Sequence, residues 1–270
     1  MNTASSVEPF NELTMTRFGR MLVNRNDVYI GQSLIRYGEY SWGEVLLMEQ
    51  LVSPDSTIVE AGANIGSHTI PLAQRLSGGR LYAFEPQRMV FQTLCANLAL
   101  NQCTNVHSFW SGLGSREGSI TIPDIPPNIR SNFGGVSANS YFDQVASLSV
   151  PCATIDGLGL DDCTLIKADV EGMELEVIKG ASKTIDKYRP VLYLEADRKD
   201  QRAALIRALF DLDYDLWWHI PPLFSPDNMF GDTEDIFNII SSNLVGLPAE
   251  NKTPVTGLAQ VTNENDWPWS

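Results

Sequence analysis

Residues 57–66 read Thr-Ile-Val-Glu-Ala-Gly-Ala-Asn-Ile-Gly and are the most informative stretch of this 270-residue chain. The first five form a short, mostly apolar run that stops at a glycine-rich turn, which is typical of a buried strand. From Ser67 the spacing becomes helical, with Ile70, Ala73 and Leu76 on one face. A strand, a glycine turn and a helix in this order indicate one unit of a parallel α/β sheet.

The same alternation continues along the chain. Further apolar strands are predicted at 80–85, 106–110, 165–168 and 190–195, with amphipathic helices between them. This pattern predicts a three-layer α/β/α sandwich. Residues 213–220 and 235–241 are predicted to pair and close the sheet. We expect residues 1–52 to form an N-terminal extension that packs on a domain of residues 53–270.

The composition narrows the class of partner. The chain carries 33 Asp and Glu against 19 Lys and Arg, which gives a formal charge of −14. Such an acidic protein repels phosphate backbones and anionic lipid, so we expect neither a nucleic-acid nor a membrane partner. The four cysteines form no CxxC pair, and the N-terminus has no signal-peptide pattern. We therefore expect a cytoplasmic protein, whose oligomeric state these features leave open.

A ligand site is expected beyond the carboxyl ends of the strands, because open parallel sheets bind ligands there. Gly62 and Gly66 allow a tight turn against which a ligand can lie. Glu85 follows the second strand about 20 residues later, where an acid that binds ribose hydroxyls belongs. Asn64 replaces the middle glycine of a dinucleotide fingerprint, so S-adenosylmethionine is favoured over NAD as the cofactor.

Five motifs occur in a characteristic order: Glu60-Ala-Gly-Ala-Asn-Ile-Gly-Ser-His-Thr69, Tyr82-Ala-Phe-Glu-Pro86, Asn97-Leu-Ala-Leu-Asn101, Ile166-Lys-Ala-Asp-Val-Glu-Gly-Met-Glu174 and Val191-Leu-Tyr-Leu-Glu195. Together they resemble the FkbM-type S-adenosylmethionine-dependent methyltransferases. The resemblance implies a class I methyltransferase (Rossmann-like) fold, whose mostly parallel seven-stranded sheet has an antiparallel last strand. It also implies methyl transfer to a hydroxyl oxygen, with sugars or polyketide-like molecules as acceptors. Glu60 departs from the family, which usually has Asp at that position.

The predicted cofactor-binding residues follow the first, second, third and fourth strands of the sheet. They are Glu60, Gly62, Asn64, Gly66, Glu85, Pro86, Ser111 and Asp169. Backbone N–H groups of residues 62–66 are expected to face the methionine carboxylate, and Glu85 to accept the ribose hydroxyls. Pro86 and Ser111 are expected beside the adenine.

The acceptor side is predicted at Asp169, Glu171 and His219, the three catalytic candidates. A hydroxyl becomes a good nucleophile only when a base or a cation removes its proton, which gives a positioned carboxylate or imidazole a role. As an alternative, Asp169 and Glu195 could hold Mg²⁺ or Mn²⁺ with Asn64 or His219; we prefer the arrangement without metal. Residues 128–141 are expected to form a lid over the acceptor.

Other interpretations of these residues stay open. Asp169 and Glu171 could simply cap and stabilise the helix that follows them. An NAD-type oxidoreductase is the first rival function, and a non-catalytic protein that retains the fold is the second.

Overall fold

The computed structural model describes residues 9–136 and 145–268. The N-terminal third contains β1 (Asn11–Thr16), β2 (Gly19–Asn24), α1 (Ile30–Tyr37), α2 (Trp42–Gln50), β3 (Thr57–Ala61), α3 (Thr69–Arg75) and β4 (Arg80–Phe84). The middle contains α4 (Arg88–Leu100), β5 (Val106–Phe109), β6 (Gly112–Leu113), β7 (Gly118–Pro123), β8 (Ser147–Ala153) and a 3₁₀ turn (Asp156–Leu158). The remainder contains β9 (Leu165–Ala168), α5 (Glu174–Lys179), α6 (Ser182–Tyr188), β10 (Val191–Glu195), α7 (Lys199–Asp211), β11 (Tyr214–His219), β12 (Asn243–Pro248) and β13 (Ala259–Gln260). Of the helices described, none is both long and apolar enough to cross a membrane.

A large sheet organises the chain. Within the described residues it has eight strands in the order β13-β11-β12-β10-β9-β3-β4-β5. The strands from β10 to β5 pair in parallel, whereas β12 runs antiparallel between β10 and β11. This arrangement confirms the predicted class I methyltransferase fold with its antiparallel last strand. The two-residue strand β13 pairs with the edge of β11 and adds one strand to the predicted seven.

The second strand of the predicted closing pair was placed wrongly. The partner of β11 is β12, whereas residues 235–241 are mostly exposed and contribute only an isolated bridge between Ile240 and Pro222. Every residue of β12 is buried. The physical reason is that β12 lies between two strands with layers on both faces, so this position needs the apolar run that starts at Asn243.

Hydrophobic clusters lie on both faces of the sheet. Neighbouring residues of β3 point to opposite sides, so that Ile58 belongs to one cluster and Val59 to the other. The cluster that contains Ile58 also includes side chains of the first 52 residues, namely Met21, Val23, Ile30, Leu34, Met48 and Val52. The N-terminal segment therefore contributes to the core on one face of the sheet.

The hairpin β1–β2 is attached to α4 by Asn97, whose side chain is fully buried. The Asn97 Oδ1 atom accepts a hydrogen bond from the Leu22 N–H at 2.6 Å, and its Nδ2 donates to the Leu22 carbonyl at 3.0 Å. A domain boundary at residue 52 remains a prediction, and residues 1–8 of that segment lie outside the described range.

Candidate functional site

The carboxyl ends of β3, β4, β9 and β10 border a cavity of about 270 Å³. This volume is close to the lower end of the range for ligand pockets, about 300 to 1,000 Å³. Six predicted site residues line it: Gly62, Asn64, Glu85, Pro86, Asp169 and Glu171. Four others do not: Glu60, Gly66, Ser111 and His219.

The glycine turn brings β3 close to the residues after β9. Gly62 adopts φ +79°, and a Cβ atom there would lie only 1.9 Å from the Asp169 carbonyl oxygen. A side chain at this position would therefore push Asp169 away, because a backbone atom cannot yield as a flexible side chain can. Gly66 also has a positive φ, +93°, and lies against Leu94 rather than the cavity.

The N–H groups of this turn are used inside the protein. The Gly62 and Ala63 N–H groups both donate to the Phe84 carbonyl at 3.0 Å. The Asn64 N–H donates to Glu85 Oε2, and the Ile65 N–H donates to Asn64 Oδ1. The Gly66 N–H donates to the Ala63 carbonyl. These bonds do not support the expectation that N–H groups of residues 62–66 face the methionine carboxylate, because the turn satisfies its own backbone.

Glu85 lies at the carboxyl end of β4 and is 3% exposed. Its Oε2 accepts a hydrogen bond from the Asn64 N–H at 3.0 Å, and its Oε1 accepts one from the Gln87 N–H at 2.8 Å. Burial raises the pKa of Glu85 from 4.5 to about 7, although the two backbone bonds favour the ionised form. These bonds fix the carboxylate in the cavity wall, and each oxygen keeps a lone-pair site for a ligand hydroxyl.

Glu60 points away from the cavity and into the sheet. It is fully buried, accepts a hydrogen bond from Thr69 Oγ1 at 2.6 Å, and has its Oε1 3.3 Å from Lys167 Nζ. Burial lowers the pKa of Lys167, but the attraction of Glu60 and Asp169 outweighs it and raises the pKa overall. The predicted contact of Glu60 with a cofactor is thus not supported by its position. The reason is that the buried Lys167 requires a partner charge.

Three carboxylates meet in the wall of the cavity, after β9 and β10. Oxygen atoms of Asp169, Glu171 and Glu195 all lie within 4.8 Å of one another. Glu171 forms an ion pair with Arg198. Burial, and then repulsion from Asp169, raises the pKa of Glu171 to about 7; the same two causes raise the pKa of Glu195 well above its usual value. The predicted catalytic pair Asp169 and Glu171 is therefore brought together, with Glu195 beside it.

His219 and Ser111 make contacts elsewhere. The Nδ1 atom of His219 is 2.8 Å from the Tyr193 hydroxyl, and burial lowers the pKa of its imidazole. The Ser111 hydroxyl lies 2.9 and 3.0 Å from the Gly112 and Pro151 carbonyls and serves the small sheet β6-β8-β7. His219 does not line the cavity, although Leu223 in the loop after β11 does, so this geometry does not support the predicted position of His219 over the acceptor pocket.

Several residues that line the cavity escaped the sequence analysis. They are Tyr29, Tyr40 and Glu44 from the N-terminal segment, Lys167 on β9, and Asn243 at the start of β12. Glu44 had a detectable signal, because Ser41 three residues earlier forms a capping-box pattern with it, and the two side chains are 2.7 Å apart. The others show no local pattern that separates them from core residues.

The predicted lid is described only in part. Its residues Asn132, Gly134, Gly135 and Val136 line the cavity. Residues 137–141 lie outside the described range, so whether this segment closes over an acceptor stays a prediction.

Similarity to known proteins identifies the family of this chain. The methyltransferase FkbM domain matches residues 60–217, which is more than half of the chain. The chain is similar to methyltransferase sdnD of Sordaria araneosa, with 29% identity over 47% of this chain and 60% of that protein. It is also similar to the 2-O-methyltransferase NoeI of Sinorhizobium fredii, with 25% identity over 62% of this chain and 74% of the relative. The crystal structure of a methyltransferase FkbM from Methylobacillus flagellatus shares the fold, with a TM-score of 0.50 and 22% identity over 72% of this chain and 44% of the other. The chain belongs to the FkbM methyltransferase family.

Proposed function

We propose that this chain transfers a methyl group from S-adenosylmethionine to a hydroxyl oxygen of a small molecule, such as a sugar or a polyketide-like compound. Family membership supports the type of reaction. Similarity to a 2-O-methyltransferase supports oxygen as the methyl acceptor. The single observation that carries the proposal is Glu85, a buried carboxylate held by two backbone N–H groups in the wall of the cavity.

The residues around the cavity fit this cofactor. Glu85 would accept hydrogen bonds from the two ribose hydroxyls, as an acid at the end of the second strand does in nucleoside sites. When bound, S-adenosylmethionine supplies a methyl group attached to a positively charged sulfur. The cavity wall is acidic where it is lined by Asp169, Glu171 and Glu195, which suits a cation.

Asp169 is the group that would accept the proton of the acceptor hydroxyl. Its side chain is 37% exposed, and Lys167 Nζ lies 3.9 Å from its Oδ2. The acceptor oxygen would use its freed electron pair to bond the methyl carbon, while the electron pair of the broken carbon–sulfur bond stays on sulfur. Positioning of the two reactants would supply much of the rate.

The test is isothermal titration calorimetry with S-adenosylhomocysteine and, separately, with NADH. We expect S-adenosylhomocysteine to bind and NADH not to bind. In the Glu85→Ala variant, binding of S-adenosylhomocysteine should weaken by about 1–3 kcal/mol, the size of a lost hydrogen bond to a charged group. Glu117→Ala, in which an exposed glutamate outside the cavity is removed, serves as the matched control.

Two results would contradict the proposal. Tight NADH binding without S-adenosylhomocysteine binding would favour the oxidoreductase. Unchanged affinity in Glu85→Ala would remove Glu85 as the ribose ligand. Transfer of a labelled methyl group to a panel of sugars and polyketide-like alcohols then tests the acceptor class directly.

We also propose a cytoplasmic location. All four cysteines, Cys95, Cys103, Cys152 and Cys163, are free thiols, and three of them are buried. Free thiols suit a reducing compartment, because disulfides accumulate in oxidising ones. Fractionation of cells that express the full chain would test this location.

A further inference from the structure

The three carboxylates after β9 and β10 have an electrostatic problem. Oxygen atoms of Asp169, Glu171 and Glu195 lie within 4.8 Å of one another, at the edge of the cavity. Like charges at this distance repel strongly where water is partly excluded. A bound cation would relieve this repulsion.

Two cations lie beside the cluster, and neither forms an ion pair with Glu195 among the described residues. Lys167 Nζ lies 3.3 Å from Glu60 Oε1 and farther, 3.9 Å, from Asp169 Oδ2. Arg198 forms its ion pair with Glu171. The Oε2 atom of Glu195 is buried and has no hydrogen-bond partner among the described residues. Asp169 therefore has a cation only at 3.9 Å, and Glu195 has no ion-pair partner in the described part of the chain.

A second observation points to the same place from another strand. Asn243 is directly opposite Glu195 in the antiparallel pairing of β12 with β10 and lines the same cavity. Directly opposed residues project from the same face of a sheet with Cβ atoms about 5 Å apart. Asn243 is 4% exposed, yet its Nδ2 atom has no hydrogen-bond partner in the described part of the chain. A buried side-chain amide without a partner is costly and is normally explained by a ligand or an ion.

We propose that Asp169, Glu171, Glu195 and Asn243 bind a hard divalent cation, Mg²⁺ or Mn²⁺. These residues offer only oxygen ligands, three carboxylates and one amide carbonyl, which is the donor set these cations prefer. A half-turn of the Asn243 amide group exchanges its nitrogen and oxygen and presents Oδ1 to the ion. The absence of His and Cys from the set disfavours zinc.

This site differs from the metal alternative that the sequence suggested. Asp169 and Glu195 are retained, but Asn243 replaces Asn64 or His219, and Glu171 joins them. The role of the ion rests on the proposed function. The cation would bind the acceptor hydroxyl oxygen and lower its pKa, while one oxygen of Asp169 binds the ion and the other accepts the proton. An acceptor with two neighbouring oxygens, such as a vicinal diol, would chelate the ion.

The test is Mn²⁺ binding to the full chain after treatment with EDTA, measured by electron paramagnetic resonance and calorimetry. We expect one Mn²⁺ per chain, displaced by excess Mg²⁺. Glu195→Gln and Asn243→Ala should each weaken Mn²⁺ binding by about tenfold or more, as loss of a ligand or of its support does. Asp161→Asn, which removes an exposed carboxylate outside the cavity, should bind Mn²⁺ as the parent does.

Absence of Mn²⁺ binding at millimolar concentration would overturn the proposal. Binding that neither Glu195→Gln nor Asn243→Ala weakens would also overturn it, because the ion would then lie elsewhere.

Circular dichroism checks that each variant folds. If Glu195→Gln fails to fold, Mn²⁺ binding to the parent and to Asn243→Ala still tests the proposal. S-adenosylhomocysteine binding in EDTA is measured on the same samples. Binding of S-adenosylhomocysteine without binding of Mn²⁺ would reject the metal site alone. Binding of Mn²⁺ without binding of S-adenosylhomocysteine would reject the proposed function alone.

Discussion

The carboxylates that line the cavity are held in two different ways. Glu85 is buried, but each of its oxygens accepts a backbone N–H, at 3.0 and 2.8 Å. In the acidic cluster, Asp169, Glu171 and Glu195 crowd together, and the buried Oε2 of Glu195 has no hydrogen-bond partner in the part of the chain described. Backbone N–H groups of the protein satisfy the first carboxylate, whereas the cluster would be stabilised by the cation proposed above.

The difference follows from where the stabilising groups come from. The donors to Glu85 belong to Asn64 and Gln87, in the turns that follow β3 and β4, two adjacent strands joined by one helix. The acidic cluster depends on β9, β10 and β12, with Lys167 and Arg198 nearby. Substitutions of Glu85 and substitutions in the acidic cluster should therefore have separate effects on cofactor binding, turnover and stability.

The largest effect, on turnover, is expected from Asp169→Asn in the acidic cluster. Loss of the base should lower turnover by about 10²–10⁴-fold. Binding of S-adenosylhomocysteine should change little, because Glu85 and the glycine turn are intact. Steady-state kinetics and calorimetry measure the two quantities. Asp197→Asn, at a more exposed carboxylate of the same cavity, should lose far less, and full activity of Asp169→Asn would remove Asp169 from the mechanism.

The next effect concerns the buried pair that supports Asp169. Lys167→Met leaves the fully buried Glu60 without its cation, and breaking such a pair from one side costs about 3–5 kcal/mol of unfolding free energy. Urea unfolding measures the loss. The double variant Lys167→Met with Glu60→Gln should recover part of it, because no unpaired charge remains. A single variant as stable as the parent would show that the pair is not required for the fold.

The pH dependence of the free energy of unfolding should report on Glu85. The pKa of Glu85 is raised by burial from 4.5 to about 7, so the folded protein holds this proton more tightly than the unfolded chain does. Its contribution to stability is thus fully present below about pH 4.5 and is lost as the pH rises through about 7. The total is about 3 kcal/mol.

Urea unfolding across this pH range should therefore show a steeper loss in the parent than in Glu85→Gln. Contributions from the other acids cancel in that difference. Parallel curves for the two proteins would mean that Glu85 does not titrate in this window.

The smallest expected effect is at the glycine turn. Gly62→Ala should destabilise the protein by about 2 kcal/mol more than a control, because the new Cβ meets the Asp169 carbonyl and forces the backbone to move. Gly159→Ala is the matched control, since Gly159 also has a positive φ, +61°, but nothing lies within 4 Å of the added carbon. Equal losses in the two variants would show that the close approach is unimportant.

Much of the fold could be predicted because its signals are local. The strand before Gly62 and the acid at Glu85 each follow from neighbouring residues. The strand predicted at 235–241 was wrong because apolar residues in a loop resemble a strand until the burial of β12 is known. Glu60 was misassigned for a related reason. Its position at the end of a strand suggested a ligand, and its true partner, Lys167, is more than a hundred residues away.

The class of sheet, the glycine turn and the carboxylate that follows β4 could be predicted from local sequence, since strand and helix periodicity and turn chemistry act over a few residues. The pairing of distant charged and polar side chains depends instead on the folded arrangement of the strands. That arrangement pairs Lys167 with Glu60, directs His219 to Tyr193 instead of the cavity, and sets Asn243 opposite Glu195. Strand order and register between distant segments control these contacts, and a shift of one residue would turn each side chain to the other face.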